Sequence, residues 1–354
     1  MTMESAAGMF AAIVLPWLCG YGIIRLLLGK RLPFTLYAGH GYLVGLYLVI
    51  LLLQLWNVAG WPLRFWPLAA VLAVITIPAL WKLYRGDSLV PLAAKSLPRM
   101  PGWKYMVTTL LVALIFIHLL VVLQELWLRP TFPWDAWRGW APKAIQFFDN
   151  RALSFEMGTI ANYGIISPQI HLWAMLASGT TLEPTLYLPW YFALVALAMA
   201  VYGHLRLHCS TVPSLLGAYL VASLPYLNIH TSLAGYADLW LTLAFTLGLM
   251  TISLYRHQKR TAIVVLALLY AVISIQAKRA GLGMGLIVLL CLAMAESRWS
   301  KVWVMVLMVF TSIIAGLIYA ALNDIVSIRI DIPSIGTLIL DSDQIRVPMV
   351  GAMT

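Results

Sequence analysis

The stretch YMVTTLLVALIFIHLLVVLQELW, residues 105–127, decides the fold class. It has the length of a membrane-crossing helix, which needs about 20 mainly apolar residues, and Glu125 is its only charged side chain. Nine further apolar runs follow the same pattern, at 9–29, 35–58, 65–84, 183–203, 211–228, 235–255, 261–276, 280–295 and 302–322. We therefore predict an all-α integral membrane protein with about ten transmembrane helices.

The composition supports this class. Of the 354 residues, 62% are hydrophobic and only 10% are charged, and the mean hydropathy is +0.89. A soluble fold could not bury so much apolar surface. The three cysteines are scattered through the apolar runs, so they predict neither a disulfide framework nor a zinc site.

The net charge of +10 is spread over the gaps between the runs and forms no single patch. Alternate gaps and the end of the first run hold 14 basic and two acidic residues, whereas the other side holds nine basic and eleven acidic residues. Because Lys and Arg collect on the cytoplasmic side, the second side is predicted to be extracytoplasmic. We expect a multi-pass protein of the inner (plasma) membrane, whose partner is the lipid bilayer and not nucleic acid.

The runs and gaps suggest three segments. Residues 1–104 form a three-helix membrane segment that ends in a basic cytoplasmic loop. Residues 105–322 form the transmembrane core, with an external loop at 129–182. Residues 323–354 form an extracytoplasmic tail, whose alternating apolar and polar residues predict a short hairpin or pairing with another chain.

Immediately after the first quoted run comes RPTFPWDAWRGWAPKAIQFFDNR, residues 129–151. The prolines predict a turn at 134–140 followed by an interfacial helix from 142 to 150. Three tryptophans would lie at headgroup depth, namely Trp134, Trp137 and Trp140. An interfacial helix whose Arg138 and Lys143 touch lipid phosphates explains these residues. Asp135, held near the bilayer surface by the proline-rich turn, favours a functional site instead.

A second short helix is predicted at 168–178, with Ser167 as its N-cap and Pro168 at its first position. Together, the two short helices would lie on the membrane and cover a lateral opening. His171 on the second helix is a candidate hydrogen-bond donor to a substrate, although a single histidine is more often structural.

Two further groups have external positions. Asp238 begins the run at 235–255, either to complement the helix N-terminus or to add a second carboxylate to the site. Lys278 and Arg279 lie between two short runs, on the side where the charge rule expects few cations. These two cations would bind a lipid phosphate, or reach toward the headgroups, unless the topology is wrong at this point.

Three motifs, at 134–144 (WDAWRGWAPKA), 235–239 (GYADL) and 278–281 (KRAG), resemble in order and spacing those of the GT-C glycosyltransferases. These are membrane enzymes that use polyprenyl-phosphate-linked sugars. The resemblance covers about 105–322 and implies a GT-C-like arrangement of helices. It also implies an inverting transfer on the extracytoplasmic face.

The resemblance implies a role for each candidate residue. Asp135 would be the general base, and Asp238 would shape or charge the catalytic site. The donor phosphate would be bound by Lys278, Arg279, Arg138 and Lys143. The substrate would be lined by Trp134, Trp137, Trp140, His171 and Tyr236. No cofactor is predicted, since Asp341-Ser342-Asp343 in the tail is only a weak signal for a divalent metal.

The chain also departs from the family, so we expect a short or divergent member. Ile166-Ser167-Pro168 replaces an acidic Asp-Tyr-Pro step, and Arg279-Ala280 replaces a pair that includes an acid. Two alternatives stay open. One is a non-catalytic GT-C-like subunit that docks a membrane or periplasmic protein partner. The other is a transporter of a lipid-linked anion, although no internal repeat is visible.

Overall fold

The computed structural model of the chain describes residues 3–29, 32–86, 101–129, 134–154, 164–181, 184–296, 328–332 and 336–340. The helices in these ranges are α1 (Met3–Leu28), α2 (Phe34–Val58), α3 (Phe65–Gly86), α4 (Gly102–Leu128), α5 (Ala141–Asn150), α6 (Ile166–Ser178), α7 (Leu188–Leu205), α8 (Thr211–Ala222), α9 (Pro225–Ser232), α10 (Asp238–Gln258), α11 (Thr261–Ala277) and α12 (Gly281–Glu296). A π-helical turn spans Ala136–Trp140 and a 3₁₀ turn spans Thr185–Tyr187.

Five helical segments are long and apolar enough to cross a membrane: α1, α2, α4, α10 and the segment Thr185–Leu205 that includes α7. The bent pair of α8 and α9 makes a sixth when it is counted as one span. Shorter apolar helices are α11, α12 and the Phe65–Trp81 part of α3. The predicted class is confirmed as a largely helical protein with several helices long and apolar enough to cross a membrane. The predicted run at 302–322 lies outside the described residues.

The predicted span at 211–228 corresponds to two helices with a bend between them. The chain breaks after α8, and α9 begins at Pro225 with a bend of 54° between the two helix axes. Leu224 has an extended backbone (φ −61°, ψ 122°) because a residue before proline is disfavoured in the α conformation. The proline itself suits the first turn of α9, where no helical partner is needed for its nitrogen.

Helix α2 is the centre of the bundle and packs between α1 and α7 through small residues. A Cβ added at Gly45 would lie 1.8 Å from the Pro16 carbonyl oxygen of α1. On the other face, a Cβ at Gly39 would lie 2.5 Å from the backbone nitrogen of Ala200 in α7. The helices approach this closely because glycine has no side chain, as is common in membrane bundles.

One hydrophobic core joins α2 and α7 to α10 and α11. Helix α12 folds back on α11, where a Cβ at Gly281 would lie 1.7 Å from the Ser274 carbonyl oxygen. The core therefore combines helices from both sides of position 104. Most large apolar side chains of α4 are exposed, as expected for a helix that faces lipid tails.

The second short helix of the external loop does not lie on a surface. Every residue of α6 is buried, and the Trp173 indole N–H donates a 2.9 Å hydrogen bond to the Ala12 carbonyl of α1. The prediction of an interfacial position is thus wrong for α6. The reason is that its apolar side chains surround the helix and pack against α1, α2 and α5, so that it is a core helix despite its length of 13 residues.

The tail contains the predicted hairpin. Strand β1 (Ile328–Ile332) pairs antiparallel with β2 (Gly336–Leu340), with Ile330 opposite Leu338. A two-stranded sheet alone is marginally stable in water.

Candidate functional site

The first wall of the candidate site is the helical segment that follows residue 133. Residues 134–140, predicted as a turn, are instead helical and lead without a break into α5. The wider π-helical turn lies directly after Asp135, which is half-buried. Such π-helical turns often occur at functional sites.

The three tryptophans of this segment have different environments. Trp134 and Trp137 are each 60% exposed, with ring centroids 6.0 Å apart, and the Arg138 guanidinium lies 5.0 Å from the Trp134 ring centroid. Trp140 is only 1% exposed, so its side chain is enclosed by protein and does not face lipid. It packs against Ala136 and Ala237 because it is on the face of the π-helical turn that meets the chain before α10.

The segment before α10 is fixed from three sides. Gly235 has a φ of +104°, and a Cβ there would lie 2.7 Å from the Ala136 Cβ. Its carbonyl accepts a 2.9 Å hydrogen bond from the Ser167 hydroxyl, and the next carbonyl, of Tyr236, accepts one of 2.9 Å from the Trp190 indole. The backbone around Tyr236 is therefore held rigidly at the site.

The prediction that Ser167 is the N-cap of α6 is wrong. The helix begins at Ile166, before Ser167, and its N-cap is Ile165, without a side-chain capping bond. Ser167 is instead buried inside the first turn, where its hydroxyl donates a hydrogen bond to the Gly235 carbonyl.

An ion pair connects the two later motifs. The Lys278 ammonium contacts both carboxylate oxygens of Asp238, at 2.9 and 3.1 Å. Their side chains are 34% and 19% exposed, so the pair lies partly out of water. Asp238 is the first residue of α10, where a helix N-terminus also stabilises a negative charge. Lys278 follows the last residue of α11 in an extended conformation.

Tyr236 is the residue at which the motifs meet. Burial raises the pKa of the Tyr236 hydroxyl, the negative charges of Asp135 and Asp238 raise it further, and Lys278 lowers it. These four residues come from three distant parts of the sequence, and the charges of the other three act on the Tyr236 phenol. The structure thus brings together both predicted catalytic carboxylates and one of the predicted phosphate-binding cations.

The cluster also includes Tyr226 and His230, which the sequence interpretation did not assign to the site. The His230 ring lies 4.3 Å from Tyr226 and 5.0 Å from Tyr236, measured between centroids. The charges of Asp238 and Lys278 also act on both residues. Their spacing of four residues, which places them on one face of α9, was the available signal.

Arg279 is exposed in the turn between α11 and α12, next to the ion pair. That turn is supported from the external loop, where the Ile165 N–H donates a 3.2 Å hydrogen bond to the Gln276 carbonyl. A Cβ at Gly164 would lie 2.3 Å from the Ala277 carbonyl oxygen, so the loop approaches the end of α11 closely.

Two predicted site residues are deeper in the protein. Lys143 in α5 is 1% exposed, and burial lowers the pKa of its ammonium to about 8. His171 is 2% exposed, and burial lowers the pKa of its imidazole to about 3, which keeps the ring neutral. The His171 ring contacts Tyr187 at 4.9 Å, and within the described residues neither of its nitrogens has a hydrogen-bond partner.

This arrangement can accept a proton and bind an anion at one end of the helix bundle. Asp135 and Asp238 are carboxylates that can accept protons, and Lys278 supplies an ammonium already oriented by Asp238. Among the described residues, no three His, Cys, Asp or Glu side chains are grouped so that they would hold a metal ion.

Comparisons with known proteins found no matching family model, no similar curated protein and no similar solved structure.

Proposed function

We propose that the protein is a GT-C-type membrane glycosyltransferase with about ten spans, which transfers a sugar from a polyprenyl-phosphate donor on the extracytoplasmic face of the plasma membrane. The observation that carries the proposal is the meeting of the three motifs: Lys278 pairs with Asp238, and Ala237 packs against Ala136, the residue after Asp135. These are the three motifs on which the family resemblance rests.

The chemistry follows from the charges. Asp135 accepts the proton of an acceptor hydroxyl as its oxygen attacks the anomeric carbon of the sugar. The bond between that carbon and the phosphate oxygen breaks, and the lipid phosphate leaves with the electron pair. A preorganised cation stabilises the charge that develops on the leaving group. Lys278 and Arg279 have this role.

The ion pair with Asp238 refines the role of Lys278. A lysine ammonium has three N–H donors. Asp238 orients the ammonium and offsets the cost of burying its charge while the site is empty. Asp238 thus acts on the donor phosphate through Lys278, and Tyr236 lies beside both of the reacting partners.

The C-terminal hairpin favours a second candidate function, a non-catalytic subunit that docks a partner protein. Among the described residues the hairpin consists of two strands, and an edge of such a sheet can be extended by a strand from another chain.

The test of the first candidate is native mass spectrometry of the protein extracted gently from its own membrane. We expect a bound polyprenyl phosphate or its glycoside, and we expect the Lys278→Met/Arg279→Gln double variant to lose it. Arg256→Gln/Lys259→Met, at the other end of α10, is the matched control and should retain the lipid. A stoichiometric second polypeptide without prenyl lipid would support the subunit.

The glycoside identified in this way is then the donor for a turnover assay. The Asp135→Asn variant should still bind the lipid but should no longer transfer the sugar. The Asp149→Asn variant, changed at an exposed position on α5, should keep the transfer activity. Normal turnover of Asp135→Asn would refute the assignment of the base.

A further inference from the structure

Four of the seven histidines form one arrangement at the end of the bundle opposite the Asp238–Lys278 pair. His40 is in α2, His204 in the last turn of α7, His208 in the turn that follows, and His257 in the last turn of α10. Along α10, His257 lies 19 residues after Asp238, or about 28 Å of helix. This arrangement is therefore separate from the candidate catalytic site.

Two of these histidines, His40 and His204, form a hydrogen-bonded chain with Tyr270 across three helices. The His40 Nε2 lies 2.8 Å from the His204 Nε2, and the His40 Nδ1 lies 2.6 Å from the hydroxyl of Tyr270 in α11. His40 and Tyr270 are buried, at 1% and 0% exposure. Ionisable side chains at such depth are rare in membrane helices and commonly form proton relays.

The chain leads to the surface of the protein. His208 follows His204 by four residues, and the His208 and His257 rings lie 5.0 Å apart between centroids. Both of these outer histidines are exposed. His204 itself is half-buried, so water reaches the outer end of the hydrogen-bonded chain.

When all three side chains are neutral, the hydrogen bonds among them have a defined donor-to-acceptor direction. Within the described part of the protein, the Tyr270 hydroxyl has no hydrogen-bond partner other than the His40 Nδ1. The hydroxyl therefore donates to Nδ1, and because a neutral imidazole has one N–H, His40 carries its proton on Nε2. The His40 Nε2–H then donates to the His204 Nε2.

We propose that these three residues form a proton relay that takes up a proton at His204 and reverses the direction of both hydrogen bonds. A protonated His204 has donors on both ring nitrogens, so its Nε2–H must donate to the His40 Nε2. In this state His40 has lost its Nε2 proton and holds one on Nδ1, and the Nδ1–H donates a hydrogen bond to the Tyr270 oxygen. One proton enters from water, the chain gains one positive charge, and the tautomeric change carries the signal from the end of α7 to the middle of α11.

The charged side chains of the neighbouring segments are mainly cations, which do not stabilise the added positive charge. The outer cations nearest in sequence are Arg206, which donates to the Cys209 carbonyl at 2.6 Å, and Arg256 next to His257. From neighbouring helices come Arg25 of α1, which donates to the Tyr21 hydroxyl at 3.1 Å, and Arg260, which donates to the Leu28 carbonyl. Helices α2, α7 and α11 contain no acidic residue, and the only one in α10 is Asp238 at its far end.

The test is ¹⁵N NMR of protein with labelled histidine, in lipid nanodiscs, titrated from about pH 8 to about pH 3.5. We expect His40 to change from the Nε2–H to the Nδ1–H tautomer in step with protonation of His204. The change should be lost in His204→Phe. His118→Phe is the matched control, since His118 also bonds across helices, to the Ala222 carbonyl at 3.0 Å, and it should leave the change intact.

Tyr270→Phe removes only a hydroxyl, so it tests the relay even if a histidine variant fails to fold. In this variant both neutral tautomers of His40 should be populated at the high-pH end of the titration. A wild-type His40 that keeps one tautomer throughout, or a Tyr270→Phe protein whose His40 titrates as in the wild type, would overturn the proposal.

Discussion

At the scale of single residues, the candidate site depends on one glycine and one tyrosine. Gly235 is followed by Tyr236, and the positive φ of the glycine turns the chain so that the tyrosine lies near Asp135, Asp238 and Lys278. A left-handed backbone is inexpensive only for glycine. The position of the phenol is thus determined by the conformation of the residue before it.

Gly235→Ala should lower the free energy of unfolding by about 1–3 kcal/mol. Alanine disfavours the positive φ at this position, and its Cβ would clash with the Ala136 side chain. Thermal unfolding in detergent measures the change. Gly179→Ala is the matched control, since Gly179 has a φ of +70° with no heavy atom within 4 Å of its added Cβ. Equal losses in the two variants would show that the contact with Ala136 contributes nothing.

Lys143 predicts a dependence of stability on pH. Its pKa is about 8 in the folded protein and 10.5 for an ordinary lysine, so the unfolded chain binds more protons between these values. Stability should therefore rise as the pH increases from about 8 to about 10.5, by up to about 3 kcal/mol, and the burial penalty should be fully present below about pH 8.

Lys143→Met should flatten that rise in thermal unfolding experiments over the same interval. Lys104→Met, at a half-buried lysine in the first turn of α4, should leave the slope unchanged. If wild type and Lys143→Met had the same slope, the buried lysine would not be its source.

At the scale of the helices, close approach through small residues organises the bundle. Gly20, Gly41 and Gly45 bring α1 and α2 into backbone contact, and Gly39 and Gly203 do the same for α2 and α7. In a bilayer the hydrophobic effect does not distinguish a neighbouring helix from lipid, so packing of this kind decides which helices associate. The polar chain of His40 crosses the second of these contacts.

Gly45→Ala should force α1 away from α2, because the added Cβ would lie 1.8 Å from the Pro16 carbonyl oxygen. We expect a loss of about 1–3 kcal/mol, or more, in the free energy of unfolding, as for other overpacked cores. Gly102→Ala, where an added Cβ meets no heavy atom within 4 Å, should be tolerated. Similar melting temperatures for both variants would contradict the close α1–α2 contact.

At the scale of the whole molecule, the helices place the two polar groups at opposite ends. Asp238 and His257 are at the two ends of α10, which is long enough to cross a membrane. The charge asymmetry of the loops predicts that the Asp238 end is extracytoplasmic. The catalytic proposal needs this orientation, whereas the relay needs only the separation of the two ends.

Cysteine labelling tests the orientation. In a variant without the three native cysteines, Arg138→Cys and Arg279→Cys should react with an impermeant maleimide added outside intact cells, and Arg206→Cys should react only after lysis. Arg138 and Arg279 are exposed, so accessibility does not limit the reaction. Labelling of all three positions from the same side would contradict the predicted topology.

The sequence by itself determined the helical class, the long apolar helices and most helix boundaries, because run length is a local property; it left the tail open between a hairpin and pairing with another chain. It also identified Asp135, Asp238 and Lys278 as unusual charges near apolar runs. It could not determine that α6 is a core helix or that Trp140 is buried, because apolar side chains face lipid and protein equally well. Only the tertiary structure paired Lys278 with Asp238, 40 positions away, and joined His40 to Tyr270 across 230 positions, since such contacts depend on which helices pack together.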